Sequence, residues 1–332
     1  MKNNIIALIA LLIFCSWTVQ AQSQYDNEWT VSLGAGSSTL KYQTTQGASK
    51  AGIGVEIGAA YAHYFNKMIG ISLGLEAGMF GSSIDMNAIS FEQQIPTPQG
   101  LSGNFLLRAN YNGLNEKQSA TLLQIPVMLQ FQFPVTEKSF FFLGTGIKAG
   151  FPVSSKWNQN INQLVTTGYS EYTGQSYTDM PNHGFSTYSN VAASGKLELK
   201  SPVLFALEGG LKFVVSEGKY LYAGVFLDYG LSDIHKASTY MALLEYNPDS
   251  PADYHYNSLL TTNQYSPSEG IKPFAVGVKI KMGMGSGKAY QPVDKAVSHQ
   301  EKKPKEKKPQ EQKQKEQKPI KEQKPESVWG LE

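Results

Sequence analysis

From Leu123 to Phe133 every odd position is apolar, while the even positions read Gln124, Pro126, Met128, Gln130 and Gln132. Side chains alternate across a β-strand, so this period of two describes a strand with one greasy face. Pro126 has no N–H to give to a ladder, and its mid-strand position predicts a bulge or a local break. The same period recurs over roughly 28–42, 51–65, 69–86, 119–133, 139–152, 196–215, 219–235 and 270–283, with no convincing helical repeat. The chain is therefore all-β, and the fold depends on which face of each strand meets the core.

The second face decides this. In one strand Leu221, Ala223, Val225, Leu227 and Tyr229 alternate with Tyr222, Gly224, Phe226, Asp228 and Gly230; in another Phe274, Val276, Val278, Ile280 and Met282 alternate with Ala275, Gly277, Lys279 and Lys281. A water-facing β surface is dense in Lys, Glu and Thr. Here the second face is Gly, Ser, Ala and Tyr with scattered charge, which suits the crowded interior of a small barrel. The uncharged apolar face then meets lipid. Beyond the first residues no window approaches the roughly 18 continuous apolar residues of a membrane helix, so a spanning structure must be a closed barrel.

Connection lengths agree. Segments 65–68, 134–139 and 216–219 are hairpin turns, whereas 43–50, 87–118, 153–195 and 236–269 are longer. Short turns at one end and long loops at the other are the pattern of bacterial outer-membrane barrels. The expectation is an eight-stranded antiparallel transmembrane β-barrel over 22–284, with both termini periplasmic. Trp29, Tyr61, Phe65, Phe131, Phe133, Phe141 and Phe213 lie towards the short-turn end, as an interfacial aromatic girdle would.

The first 21 residues read as a cleaved secretory signal: Lys2, an apolar run from Ile5 to Val19, and Val-Gln-Ala before Gln22. Cys15 is the only cysteine, which excludes a disulfide framework and a thiolate metal site from the mature chain. Residues 285–332 are a Lys/Glu/Gln/Pro-rich tail, expected to be disordered in the periplasm. The tail carries 12 Lys against 8 acids, leaving the body with 16 basic residues and 19 acids; a nucleic-acid-binding surface is not expected.

No catalytic constellation stands out. His63, His183, His235, His255 and His299 are not at metal-ligand spacing, and GTGIKAG at 144–150 is followed by no helix that could complete a phosphate loop. No enzyme activity, metal or cofactor is expected. The inward phase carries Glu56, Glu76, Lys148, Glu208, Lys212, Asp228, Lys279 and Lys281. The four acids lie at a similar distance from the nearest short turn, with Lys148 higher and Lys212 lower. Two readings are open: an ion-pair network plugging the lumen, or charges hydrated in a wet interior. In the long loops, Tyr169, Tyr172, Tyr177, Tyr246, Tyr254 and Tyr256 stand among Asn, Ser, Thr and Gly, the composition of adaptable binding surfaces. Solvated surface loops are the alternative.

The signal ending Val-Gln-Ala-Gln, the strand Leu123–Phe131 with its Ile125-Pro126 step, and FFFLGTGIKAGF after the next turn resemble the porin-family, PorT-like outer-membrane barrels of Bacteroidetes, which are similar to the OmpA transmembrane barrel. The resemblance covers about 22–284. It implies the eight-stranded barrel and little about activity. Three roles follow as expectations. The first is a structural or interaction protein with long external loops and a periplasmic tether; the second is a narrow gated channel for ions or small solutes. The third, implied by the resemblance, is an accessory role in protein secretion or surface assembly. The expected partners are the outer-membrane bilayer with its lipopolysaccharide and, for the basic tail, peptidoglycan or an envelope protein. The tail is similar to linkers that precede a peptidoglycan-binding domain, but no such domain follows it in this sequence.

Overall fold

The computed structural model describes residues 27–285 except 45–46, 237–239, 241, 264, 266 and 268; the signal segment and the tail beyond Gly285 lie outside the described residues. Eight long strands form the wall: β1 (Asn27–Lys41), β2 (Lys50–Tyr64), β3 (Ile69–Ile95), β4 (Phe105–Thr136), β5 (Ser139–Ser170), β6 (Val203–Ser216), β7 (Lys219–Gly230) and β8 (Lys272–Gly285). Each pairs antiparallel with the next, and β8 returns to β1 from Lys272↔Lys41 to Gly285↔Glu28, which closes the barrel. No helix of the described residues is long and apolar enough to cross a membrane.

The apolar phase points out. Ile53, Val278 and Leu33 are 84%, 62% and 58% exposed, and the same holds along every strand. A soluble protein rarely leaves so large a contiguous apolar surface in water, whereas a lipid-facing belt requires it. At the short-turn end Trp29 and Tyr61 rings lie 5.0 Å apart on the outer surface, near exposed Phe65, Phe133, Phe141 and Phe213.

Two of the expected long loops are instead strand. β3, β4 and β5 continue well past the apolar belt, pairing as far as Ile95↔Phe105 and Phe105↔Ser170. Strand Thr187–Lys196 pairs with the upper part of β5, whose lower part pairs with β6. The segments read from sequence stop at 86 on β3 and 152 on β5, where the inward phase slips, and it slips again further up. On β3 the buried positions pass from Ile84 and Met86 to Ile89 and Phe91; on β4 they pass from Tyr111 to Leu114; on β5 they pass from Gly150 to Ser155, and from Ile161 to Leu164. The first β5 slip is a bulge, where Leu122 pairs with Pro152 and Thr121 with Ser154. The others lie side by side, and Gly113 (φ 68°) takes the left-handed conformation there with Asn162 against it.

The inner face of this raised sheet is covered by the described residues between 242 and 260. Leu243, Leu244, Leu259, Leu260 and Tyr254 pack with Ile89, Phe105, Leu107, Tyr111, Ile161 and Leu164 in one buried core. The long-loop end is therefore a folded cap with an apolar interior.

Inside the belt, each glutamate faces a glycine on the adjacent strand: Glu56 opposite Gly34, Glu76 opposite Gly58 and Glu208 opposite Gly144. A Cβ at Gly34 or Gly58 would fall inside van der Waals contact with the glutamate Cγ. Gly58→Ala is expected to lower the unfolding temperature in detergent by several degrees, whereas Ala59→Gly, on the lipid face, leaves it nearly unchanged; thermal melts of the two variants check this.

Candidate functional site

The lumen is a charge cluster. Alternation turns one side chain in two inward, so acids and lysines from six strands converge where glycines leave room. Lys148 Nζ lies 2.7 Å from Glu76, 2.8 Å from Asp228 and 3.6 Å from Glu56. Lys279 Nζ lies 2.5 Å from Glu56, 2.8 Å from Glu76 and 3.8 Å from Glu208. Lys281 pairs with Glu208, which also accepts a hydrogen bond from Gln130 at 3.4 Å. All of these but Lys281 are buried.

Lys212 sits apart, nearer the short turns. It pairs with Glu28 at 2.7 Å, lies 4.0 Å from the Tyr220 ring centroid, and shares Glu28 with the hydroxyl of Tyr222. Thus all eight inward charges seen in the sequence enter ion pairs, in a cluster of seven and a separate pair that adds Glu28. Glu28 went unread because it is the first residue of its segment, although it shares the phase of Thr30 and Ser32. Between the groups is a cavity of about 50 Å³, lined among others by Glu28, Ser72, Gln130 and Lys281. That is room for a few waters among the ion pairs.

Pro126 faces this interior beside Gly74. The β3–β4 pairing runs to Leu73↔Val127 and resumes at Glu76↔Gln124 in the same register, while Pro126 pairs with Lys148 of β5 without interruption. The irregularity is a one-sided break in the ladder with no inserted residue.

The six loop tyrosines divide. Tyr254 is buried and donates to the Gly184 carbonyl at 2.6 Å. Tyr177, Tyr246 and Tyr256 pack against the cap core, and burial pushes the Tyr256 hydroxyl up to about 12. Tyr254 is thus part of the cap core, while Tyr177, Tyr246 and Tyr256 are half-buried, each packed on that core. Tyr169 is half-buried under Arg108, whose guanidinium carbon lies 4.2 Å from its ring centroid, and Tyr172 is 79% exposed.

A second polar centre holds the cap to the barrel and was not singled out in the sequence. The fully buried Glu116 on β4 accepts from Gln118 at 2.8 Å, Gln159 at 2.7 Å, Ser258 Oγ at 2.5 Å and the Leu259 amide at 2.9 Å. Burial raises its carboxyl above the usual carboxylate range, against the pull of these donors. The signal for it was an acid on the inward phase of β4, hidden by the assumption that 87–118 is a loop. Among the described residues no group of three His, Cys, Asp or Glu could hold a metal ion.

No family model and no curated protein matches the chain. Among solved structures it is similar to the attachment invasion locus protein Ail of Yersinia pestis, at 13% identity over 78% of this chain and 97% of that one (TM-score 0.23). It is likewise similar to Neisserial surface protein A, at 8% identity over 77% and 95% (TM-score 0.28), and to the outer membrane protease OmpT from Escherichia coli, at 8% over 79% and 97% (TM-score 0.31). Scores this low transfer no function, and the barrel stands on its own closed ladder.

Lys148→Ala leaves Glu76 and Asp228 short of a cation inside the barrel and is expected to cost about 3–5 kcal/mol; unfolding in detergent measures it, and a near-native transition would favour a hydrated lumen. Glu116→Ala removes the acceptor of four donors, of which Gln159 keeps a bond to the Asn257 carbonyl. It should leave the barrel folded while the Leu259 amide and its neighbours lose hydrogen-exchange protection by at least about tenfold, a modest share of the penalty for unpartnered buried groups.

Proposed function

We propose that this chain is an outer-membrane barrel with a structural or interaction role: a sealed barrel that anchors a folded cap at the cell surface. The observation that carries this is the pairing of every lumen lysine in the barrel with a carboxylate, beneath a cap whose apolar core runs on into the barrel through Phe80, Leu204 and Phe226. A conducting pore needs a continuous wet path, and here one would require breaking several buried ion pairs. A cap of strands continuous with the barrel wall is a rigid platform, with Tyr172 and the Arg108–Tyr169–Glu92 group at its outer end. In this reading the termini are periplasmic and the basic tail is a tether. No catalytic step is assigned.

Two measurements test the proposal. Purified protein in planar bilayers should give no stable conductance steps; reproducible steps would contradict the sealed barrel. Because Cys15 lies in the signal segment, a Cys15→Ser background gives a cysteine-free chain for labelling. On intact cells Tyr172→Cys should react with an impermeant thiol reagent, while Glu217→Cys in the short turn should not; the reverse pattern would invert the topology.

A further inference from the structure

Just beyond the upper edge of the apolar belt, the outer surface becomes basic. Going up β8 the last apolar outward residue is Phe274, and the next outward position is Lys272. On β1 the corresponding residue is Lys41, on β4 it is Lys117 and on β5 it is Lys156. Two pairs are unusual: Lys41 lies directly opposite Lys272, and Lys156 directly opposite Lys196. Like charges facing each other across neighbouring strands repel and cost stability. Among the described residues none of these five lysines enters an ion pair, and all but the half-buried Lys272 are exposed. The nearby carboxylates have other partners: Asp85 bonds Lys50 and Asn115, with Lys117 adding only a longer-range attraction, Glu198 pairs with Lys236, and Asp233 accepts from the amides of His235 and Ile271. The short-turn end differs, since its turns mix Lys67, Lys138 and Lys219 with Glu137 and Glu217.

We propose that these lysines form a rim that binds the phosphate groups of glycolipid in the outer leaflet, with one phosphate seated between each opposed lysine pair. The inference rests on the membrane-barrel reading and deepens it by naming the lipid chemistry. A dianionic phosphate supplies the counter-charge that both pairs lack, and the acyl chains of the same molecule would lie along the apolar belt directly below. The one-sided distribution matches a bilayer whose two leaflets differ in phosphate density. Each basic residue near an anionic surface contributes about a fivefold gain in binding, so removing four should have a large effect.

The test uses the full mature chain in phosphatidylcholine vesicles containing either lipid A with two phosphates or the same lipid A dephosphorylated. The native chain is compared with a Lys41→Gln, Lys272→Gln, Lys156→Gln, Lys196→Gln variant. Insertion is scored separately by protease protection. The native protein should retain phosphorylated lipid A through detergent washing at least about tenfold better than the variant, and should unfold at a higher temperature with that lipid than with the dephosphorylated form. In uncharged detergent alone the variant should be as stable as the native chain or more so, because two repulsions are gone. Equal retention by native and variant protein, or equal stabilisation by both forms of lipid A, would overturn the rim. Failure of the native chain to insert would overturn the membrane reading and the rim with it.

Discussion

The outward face of this barrel meets a medium that offers no hydrogen bonds, and the rest of the structure follows from that. Backbone groups must be satisfied within the wall, so the last strand returns to the first and leaves no edge. Polar side chains must point inward, where an eight-stranded barrel leaves little space. Charges brought into that space persist only as pairs, because an unpaired buried charge is costly. Glycines opposite Glu56, Glu76 and Glu208 make the pairing sterically possible. The uncharged belt, the glycine-rich inner face and the ion-pair cluster are thus three consequences of one solvent.

Above the belt, water returns and the rules change. The same three strands that span the membrane continue as a sheet with one apolar face, and that face now points to a core of Leu, Ile, Phe and Tyr as in a soluble domain. β4 carries both regimes, with lumen residues at Gln130 and Gln124 and the buried Glu116 higher up. Glu116 gathers donors from β4, β5 and the 231–271 connection, so the cap is tied to the wall by a polar centre as well as by packing.

The barrel was legible because period two persists wherever one face must be apolar, and because turns of few residues cannot be mistaken for long loops. The inward charges were legible for the same reason: phase alone placed Lys148, Lys279 and Asp228 inside. The raised strands were not legible, since the buried positions change parity at Asn87 and between Gly150 and Ser155, where the single-phase readings of β3 and β5 end, and change again at Gly113 and Asn162. Nor was the cap core, which is built from Leu243, Leu259 and Leu260 in a segment with no repeat of its own. Counting from the short turns already put Lys212 below the four acids; its partner Glu28 was not legible, because pairing partners are set by stagger around the ring.

Directly coupled charges fill and close the lumen. The most direct measurement is a double-mutant cycle on Lys148 and Asp228, using Lys148→Met, Asp228→Asn and the pair, with unfolding free energies measured in detergent. A coupling of about 2 kcal/mol or more is expected, with the double variant less damaged than the sum of the single ones. Additive effects with no coupling would mean that each charge is satisfied by water, and would contradict it.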